Sequence, residues 1–167
     1  MPLKIRSATS DDVPVILSFI KALACFEDCP DSVTTTEEDL VRDGFGPHPK
    51  FEVLIADIGT VPVGFALFFT SYSTWEGRPG LYLEDLFVKE TARKEGVGRA
   101  LMRRLADIAE ERGYPRLNLQ VLDWNPARNF YERLGMACNR QWLPYRANGN
   151  SLRAMTTTST SSFPEDS

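Results

Sequence analysis

Arg93, Gly96 and Gly98 stand between an apolar run that ends at Val88 and an amphipathic run that begins at Val97. Glycines let a backbone approach a ligand closely, and a helix start offers unpaired N–H groups at the positive end of its dipole. Residues 93–99 (RKEGVGR) thus suit an anion such as a pyrophosphate. Two glycines before a helix also make an ordinary tight turn. Arg93, Lys94, Arg99, Arg103 and Arg104 add the cations that a phosphate site needs, although a solvated helix face accounts for some of them. The segment is neither a Walker loop, since GxxxxGKS/T is absent, nor a dinucleotide fingerprint, since GxGxxG is absent.

Just upstream, Glu84 and Asp85 break the apolar run 81–88. A carboxylate here could accept a proton or hold a cation, or simply pair with an arginine at a strand edge. Adjacent side chains on a regular strand point to opposite faces, so the two are not expected to serve one site as a pair. Downstream, Asn125-Pro126 reads as a helix start, because Asn caps well and Pro suits the first helical position. His48 is the sole histidine, and Cys25, Cys29 and Cys138 follow no zinc spacing, so no metal site is expected.

The elements that must position these residues follow from periodicity. Residues 3–7 alternate as a strand. After Ser10, Asp11 and Asp12, the residues Val13, Ile16, Leu17, Ile20, Leu23 and Ala24 recur at helical spacing, and 25–32 breaks the pattern. Thr36 and Asp39 resemble a capping box opening a short helix to about Arg42. Residues 51–57 and 63–70 flank a turn as a hairpin, and 81–88 forms a third strand of this block. A helix runs from about Val97 to Arg112 and stops at Gly113. A strand over 116–122, a helix from Asn125 to Gly135 and a last strand over 136–146 complete the expected order, β-α-α-β-β-β-α-β-α-β. That order predicts an α/β fold with a mixed sheet and helices on both faces. Residues 1–155 are expected to form a single domain, and the polar segment 156–167 (TTTSTSSFPEDS) a disordered tail.

A chain of 167 residues can bury one real core. Its formal net charge of −4 lacks the basic excess of nucleic-acid binders, so no nucleic-acid partner is expected. No apolar run approaches the roughly 20 residues that span a bilayer, and the start MPLKIRSATSDD lacks the apolar core of a secretory signal. Three reduced thiols in a cytoplasmic, membrane-free protein are the expectation.

Arg93-x-x-Gly96-x-Gly98 after a strand resembles the R/Q-x-x-G-x-G/A acyl-CoA loop of the GNAT superfamily of N-acetyltransferases. Together, IRSATSDDVPVILSFIKALACFE, EEDLVRDGFGPHP, LYLEDLFV, VLDWNPARNFYERLGM and the W…YR near 142–146 resemble its diamine branch, the spermidine/spermine and thialysine N-acetyltransferases. The resemblance covers roughly 3–155. It implies a GNAT-like, mostly antiparallel, twisted sheet, and transfer of acetyl from acetyl-CoA to the primary amine of a small lysine-like, diamine or polyamine substrate. It implies that Glu84 is an amine binder and proton acceptor, and that Tyr131 is the proton donor to the departing thiolate. Without the resemblance, Tyr131 reads as a packing residue beside Phe130. The third strand of the block is implied to splay at a bulge, so that Leu86, Phe87 and Val88 meet the cofactor, Leu86 N–H being the carbonyl partner. Arg93, Lys94, Glu95, Gly96, Val97, Gly98, Arg99, Asn125, Arg128 and Tyr131 are implied in cofactor binding, and Phe26, Glu27, Trp75 and Glu84 in substrate binding. A homodimer is implied as well, with an exchanged strand around 136–146.

Three departures from the family pattern stand out, and two of them narrow the substrate. Ser73-Thr74-Trp75 lacks an aspartate found near this tryptophan in the polyamine enzymes, and MACNRQW carries Arg140 in place of a glutamate-rich stretch. Both remove negative charge, which favours a lysine-like or short amine over a long polycation. Lys94 stands where a glycine usually follows the loop arginine; a loop that works through backbone N–H groups is expected to tolerate this. Two alternatives remain open: a protein lysine or N-terminal acetyltransferase, and a non-catalytic acyl-CoA-binding module.

Overall fold

The computed structural model describes residues 1–156; the tail expected over 156–167 lies, beyond Thr156, outside the described residues. Two compact units are distinguished, Met1–Phe130 and Tyr131–Ser167.

The first unit is built on a five-stranded sheet in the order β1 (Leu3–Ser7), β2 (Glu52–Ile58), β3 (Val61–Ser73), β4 (Arg78–Val88) and β5 (Leu117–Leu119). The first four strands pair antiparallel and β5 runs parallel to β4, giving the mixed, mostly antiparallel sheet that was expected. The β2–β3 hairpin turns at Gly59, whose φ of 63° favours glycine.

Alternation along the strands divides the apolar residues between two faces. Val53, Ile55, Phe65 and Leu67 share one core with Val13, Ile16 and Phe19 of α1 (Val13–Phe26) and Leu40 of α2 (Glu37–Gly44). The intervening Leu54, Ala56, Ala66 and Phe68 are equally buried on the other face, against which α3 (Val97–Glu111) brings Leu101, Met102, Leu105 and Ile108. Helices therefore cover both faces. The capping box at α2 is formed: Asp39 N–H donates to Thr36 Oγ1 at 3.2 Å, and Thr36 N–H donates to Asp39 Oδ2 at 3.0 Å.

Arg6 ties β1 to its surroundings. Its Nε donates to Asp57 Oδ2 on β2 at 2.6 Å, and its terminal nitrogens donate to both oxygens of Asp12, at 2.8 and 2.9 Å, just before α1.

The strand expected over 116–122 is shorter than its pattern, spanning only Leu117–Leu119. Its ladder to β4 ends at Leu83, where β4 changes course, so residues 120–122 have no strand to pair with.

The second unit opens inside α4 (Ala127–Arg133). That helix ends in a Schellman motif at Gly135 (φ 91°): Met136 N–H donates to Tyr131 O at 3.1 Å, and Gly135 N–H donates to Glu132 O at 3.0 Å. The strand expected over 136–146 is a correction: these residues are irregular, and no strand occurs among the described residues of this unit. The segment lacks a period-two pattern, Pro144 removes a ladder donor, and the described residues of the unit offer no partner strand. A helix that was not anticipated, α5 (Gly149–Thr156), follows, so the order closes with two helices rather than a helix and a strand. Its signal was Asn148 before Ser151, which exchange bonds at 3.0 and 2.7 Å.

Candidate active site

Strand β4 changes character at one residue. Leu83 pairs with Phe68 and Asp85 with Leu67, so Glu84 is skipped in the ladder to β3. On the other edge, pairing with β5 stops at Leu83. Leu81 N–H donates towards β5, to Arg116 O at 3.0 Å, whereas Lys89 N–H donates towards β3, to Val63 O at 2.8 Å. Residues an even number apart on a regular strand face the same edge, so the bulge has reversed the phase between them. The N–H groups of Leu86 and Val88 therefore face the edge that β5 has left. An added Cβ at Gly64, which pairs with Val88, would lie 2.7 Å from Phe87 O, so glycine there keeps the two strands tight while the far edge opens.

The bulge also corrects the alternation expected at Glu84 and Asp85. Asp85, opposite Leu67, lies on the α1 face of the sheet, and a bulge lets two successive side chains lean the same way. Burial pushes the Asp85 carboxyl up to about 6, and the negative charges of Glu84 and Glu27 push in the same direction. Desolvation also raises the Glu27 carboxyl above its ordinary value. Glu84 is exposed and Asp85 half-buried. The charges of Glu27, at the end of α1, and Glu84 thus both act on Asp85, and such a group of carboxylates suits an ammonium ion. Sequence reading missed Asp85 as a member; the bulge that admits it leaves no mark in an apolar–polar pattern.

Glu27 is held by the end of α1. Cys29 N–H donates to Ala24 O at 2.9 Å and Asp28 N–H to Cys25 O at 3.2 Å, a Schellman motif with Asp28, at φ 56°, where glycine is usual. Phe26, the last residue of α1, has the Arg93 guanidinium over its ring, 5.2 Å from the centroid, and the Trp124 ring 6.4 Å away.

After β4, Arg93 Nε donates to Val88 O at 3.3 Å. Gly96 (φ 79°) caps α3 with no side-chain partner, leaving the first N–H groups of the helix, from Val97 and Gly98 onward, for an anion. Lys94, Glu95 and Arg99 are exposed around it. Lys94 has φ 69°, which shows why a glycine is usual there: the position needs a left-handed backbone, so the lysine carries strain that the sequence reading discounted. Gly98 lies where a Cβ would meet Phe130 at 3.4 Å, so its role is close packing of α3.

Asn125 is buried, and its Oδ1 accepts from Ala127 N–H at 2.9 Å, as a helix cap should. Arg128 donates to Asp123 O at 2.7 Å across the same turn. Tyr131 lies on α4 as the first residue of the second unit. Trp75 sits in the turn between β3 and β4, 86% exposed. At about 3.3 Å per strand residue, Glu84 is roughly 20 Å from that turn, so one chain does not bring Trp75 to the carboxylates. No group of metal-ligating side chains is found among the described residues.

The chain is similar to known proteins of one family. Residues 19–136 match the Acetyltransferase (GNAT) family. The chain is 37% identical over 163 residues to thialysine N-epsilon-acetyltransferase of Bos taurus, covering 90% of this chain and 95% of that one. It is 36% identical over 163 residues to spermidine/spermine N(1)-acetyltransferase-like protein 1 of Homo sapiens, covering 91% of this chain and 23% of that one. Among solved structures, an integron cassette protein from the V. cholerae mobile metagenome superposes with a TM-score of 0.78 at 27% identity, covering 95% of this chain and 99% of that one.

Proposed function

The chain belongs to the GNAT acetyltransferase family and is an acetyl-CoA-dependent N-acetyltransferase of amines, and from that premise we propose that its acceptor is a lysine-like or short primary amine. The observation that carries this reading is the coincidence at Glu84 of an opened strand edge and a carboxylate group. N–H donors for a thioester oxygen lie within a few residues of acids able to hold an ammonium ion.

An alkylamine with a pKa near 10.4 is only roughly 0.1% neutral at physiological pH, so a proton must leave before nitrogen attacks. Glu84 accepts that proton, directly or through water, while Glu27 and Asp85 help hold the cation. The nitrogen bonds to the acetyl carbon as Leu86 N–H donates to the oxygen gaining negative charge. As the carbon–sulfur bond breaks, the nitrogen gives its second proton to solvent, and the departing thiolate takes a hydrogen bond from the Tyr131 hydroxyl and ends as the thiol, any proton drawn from Tyr131 being replaced from solvent. The N–H groups of Val97 and Gly98, with Arg93, hold the pyrophosphate; Phe87 and Val88 hold the pantetheine arm. Lys94, Glu95, Gly96, Arg99, Asn125 and Arg128 complete the cofactor side.

The lysine-like acceptor is supported by two acidic features of the resembled polyamine enzymes that are absent here: no carboxylate accompanies Trp75 in 73–75, and Arg140 stands in MACNRQW. A homodimer is supported by the exposed apolar side chains Trp142, Leu143, Tyr145, Leu152 and Met155 of the second unit. Light scattering at micromolar concentration tests it, and a monomer there removes it. A cytoplasmic setting is supported by three free thiols, Cys25, Cys29 and Cys138.

Release of the CoA thiol from acetyl-CoA, measured with lysine, thialysine, putrescine, spermidine, spermine and a lysine-containing peptide, tests the acceptor. Lysine or thialysine should be turned over fastest. Turnover only of the peptide makes the protein a modifier of proteins, and preference for spermine overturns the lysine-like reading.

A further inference from the structure

We propose that Phe26 is a positioning residue for Arg93, so that the aromatic ring at the end of α1 serves the acetyl-CoA side of the reaction. The family resemblance points Phe26 at the amine, where a bare ring face would receive the substrate's cation. Here the Arg93 guanidinium lies over that ring at 5.2 Å from its centroid.

Arg93 is held at two points. Its Nε donates to Val88 O, on the strand edge that faces away from β3, and its guanidinium carbon lies over the Phe26 ring. Neither contact uses the terminal N–H groups, which remain for an anion. An exposed arginine otherwise loses much side-chain entropy when it orders on a phosphate, and a ring that pre-orders it reduces that loss. Trp124, one residue before the buried Asn125, tilts against the same ring at 6.4 Å and 41°. Phe26 thus joins the end of α1, the loop after β4 and the turn before α4.

Two left-handed backbone positions flank the pair. Among the described residues, Asp28 and Lys94 are the two non-glycines with positive φ, at 56° and 69°. One lies two residues after Phe26, and the other directly follows Arg93. Strain of this type persists where the surroundings over-determine a geometry.

The inference rests on the reading that residues 93–98 hold the pyrophosphate, and the test separates the two. Acetyl-CoA affinity is measured by calorimetry, and KM for both substrates by thiol release, in the wild type, Phe26→Leu, Phe26→Tyr, Arg93→Ala and the Phe26→Leu/Arg93→Ala double variant. Phe26→Leu should weaken acetyl-CoA binding about three- to fivefold and leave the amine KM within twofold. Phe26→Tyr, which keeps the ring, should restore the affinity. In the Arg93→Ala background, Phe26→Leu should have no further effect. An unchanged acetyl-CoA affinity in Arg93→Ala overturns the pyrophosphate reading itself. If Arg93→Ala weakens binding but Phe26→Leu acts equally in both backgrounds, or raises only the amine KM, the positioning role is wrong. Phe26 is 38% exposed and outside the buried core, so the leucine variant should fold with an unfolding midpoint close to that of the wild type.

Discussion

Glu84 and Asp85 are consecutive, yet Asp85 has a partner across the sheet in Leu67 while Glu84 is passed over between Leu67 and Phe68. That skipped residue turns Leu86 N–H to the free edge and gathers carboxylates that an unbroken strand would separate. The proposed substrate acids and the proposed oxyanion donor therefore depend on the same irregularity.

The bulge has a pH signature. With its carboxyl pushed up to about 6 from 3.8, folded Asp85 holds its proton more tightly than the unfolded chain does. Stability should fall as pH rises from about 4 to about 6 and stay lower above that, since ionised Asp85 is penalised by burial first and then by the charges of Glu84 and Glu27. Asp85→Asn should remove this slope and gain about 1–2 kcal/mol at pH 7, while raising the amine KM. Urea midpoints measured from pH 4 to pH 8 would show it; parallel curves for variant and wild type would contradict it.

Arg6 has the opposite sign. Its hydrogen bonds hold the Asp12 carboxyl below the usual carboxylate value. That stability is present above the unfolded pKa of about 4 and lost as pH falls through the lower folded one. Arg6→Met should cost about 3 kcal/mol by leaving Asp57, whose Oδ1 already lacks a partner, buried without its cation. Denaturant unfolding at pH 7 and pH 3 should show a smaller gap at pH 3, and an equal gap would refute the pairing as its cause.

Much of this was legible because its causes are local. The Thr36–Asp39 box and the Asn125 cap each need only a few neighbouring residues, and both formed as read. The helices on the two faces followed from periodicity in α1 and α3. Asp85 was not legible, because a bulge is set by how two strands register and not by the residues of one. The segment 136–146 was misread for a related reason: strand character depends on a partner, and the described residues of its own unit supply none. Lys94 shows a third case. Its residue type concealed the left-handed backbone that the family's usual glycine would have advertised.

Lys94 is consequently a place to relieve strain. Lys94→Gly should remove a left-handed cost of about 1–2 kcal/mol, offset in part by the added freedom of glycine in the unfolded chain, and so raise the unfolding midpoint slightly. Acetyl-CoA affinity should stay within about twofold, because the loop works through N–H groups. Gly96→Ala, at φ 79° with open space around its Cβ, should do the reverse and weaken acetyl-CoA binding. Thermal unfolding and calorimetry of both variants check the pair, and a destabilised Lys94→Gly would mean that the lysine side chain holds the loop.

Tyr131 carries the proposed proton for the departing thiolate, and its removal isolates that step. Thiols, near pKa 8.5, are stronger acids than phenols, near 10, so the hydroxyl is asked for a well-placed hydrogen bond as the sulfur gains charge and not for a full transfer at rest. Tyr131→Phe keeps the ring and removes that bond. The Schellman motif that closes α4 uses the carbonyl of Tyr131 and not its side chain, so the helix should survive the change. Turnover should fall about 100- to 1,000-fold, with acetyl-CoA affinity nearly unchanged. Single-turnover thiol release at saturating amine measures the step directly. A variant that releases thiol as fast as the wild type would assign the proton to water and return Tyr131 to a packing role beside Phe130.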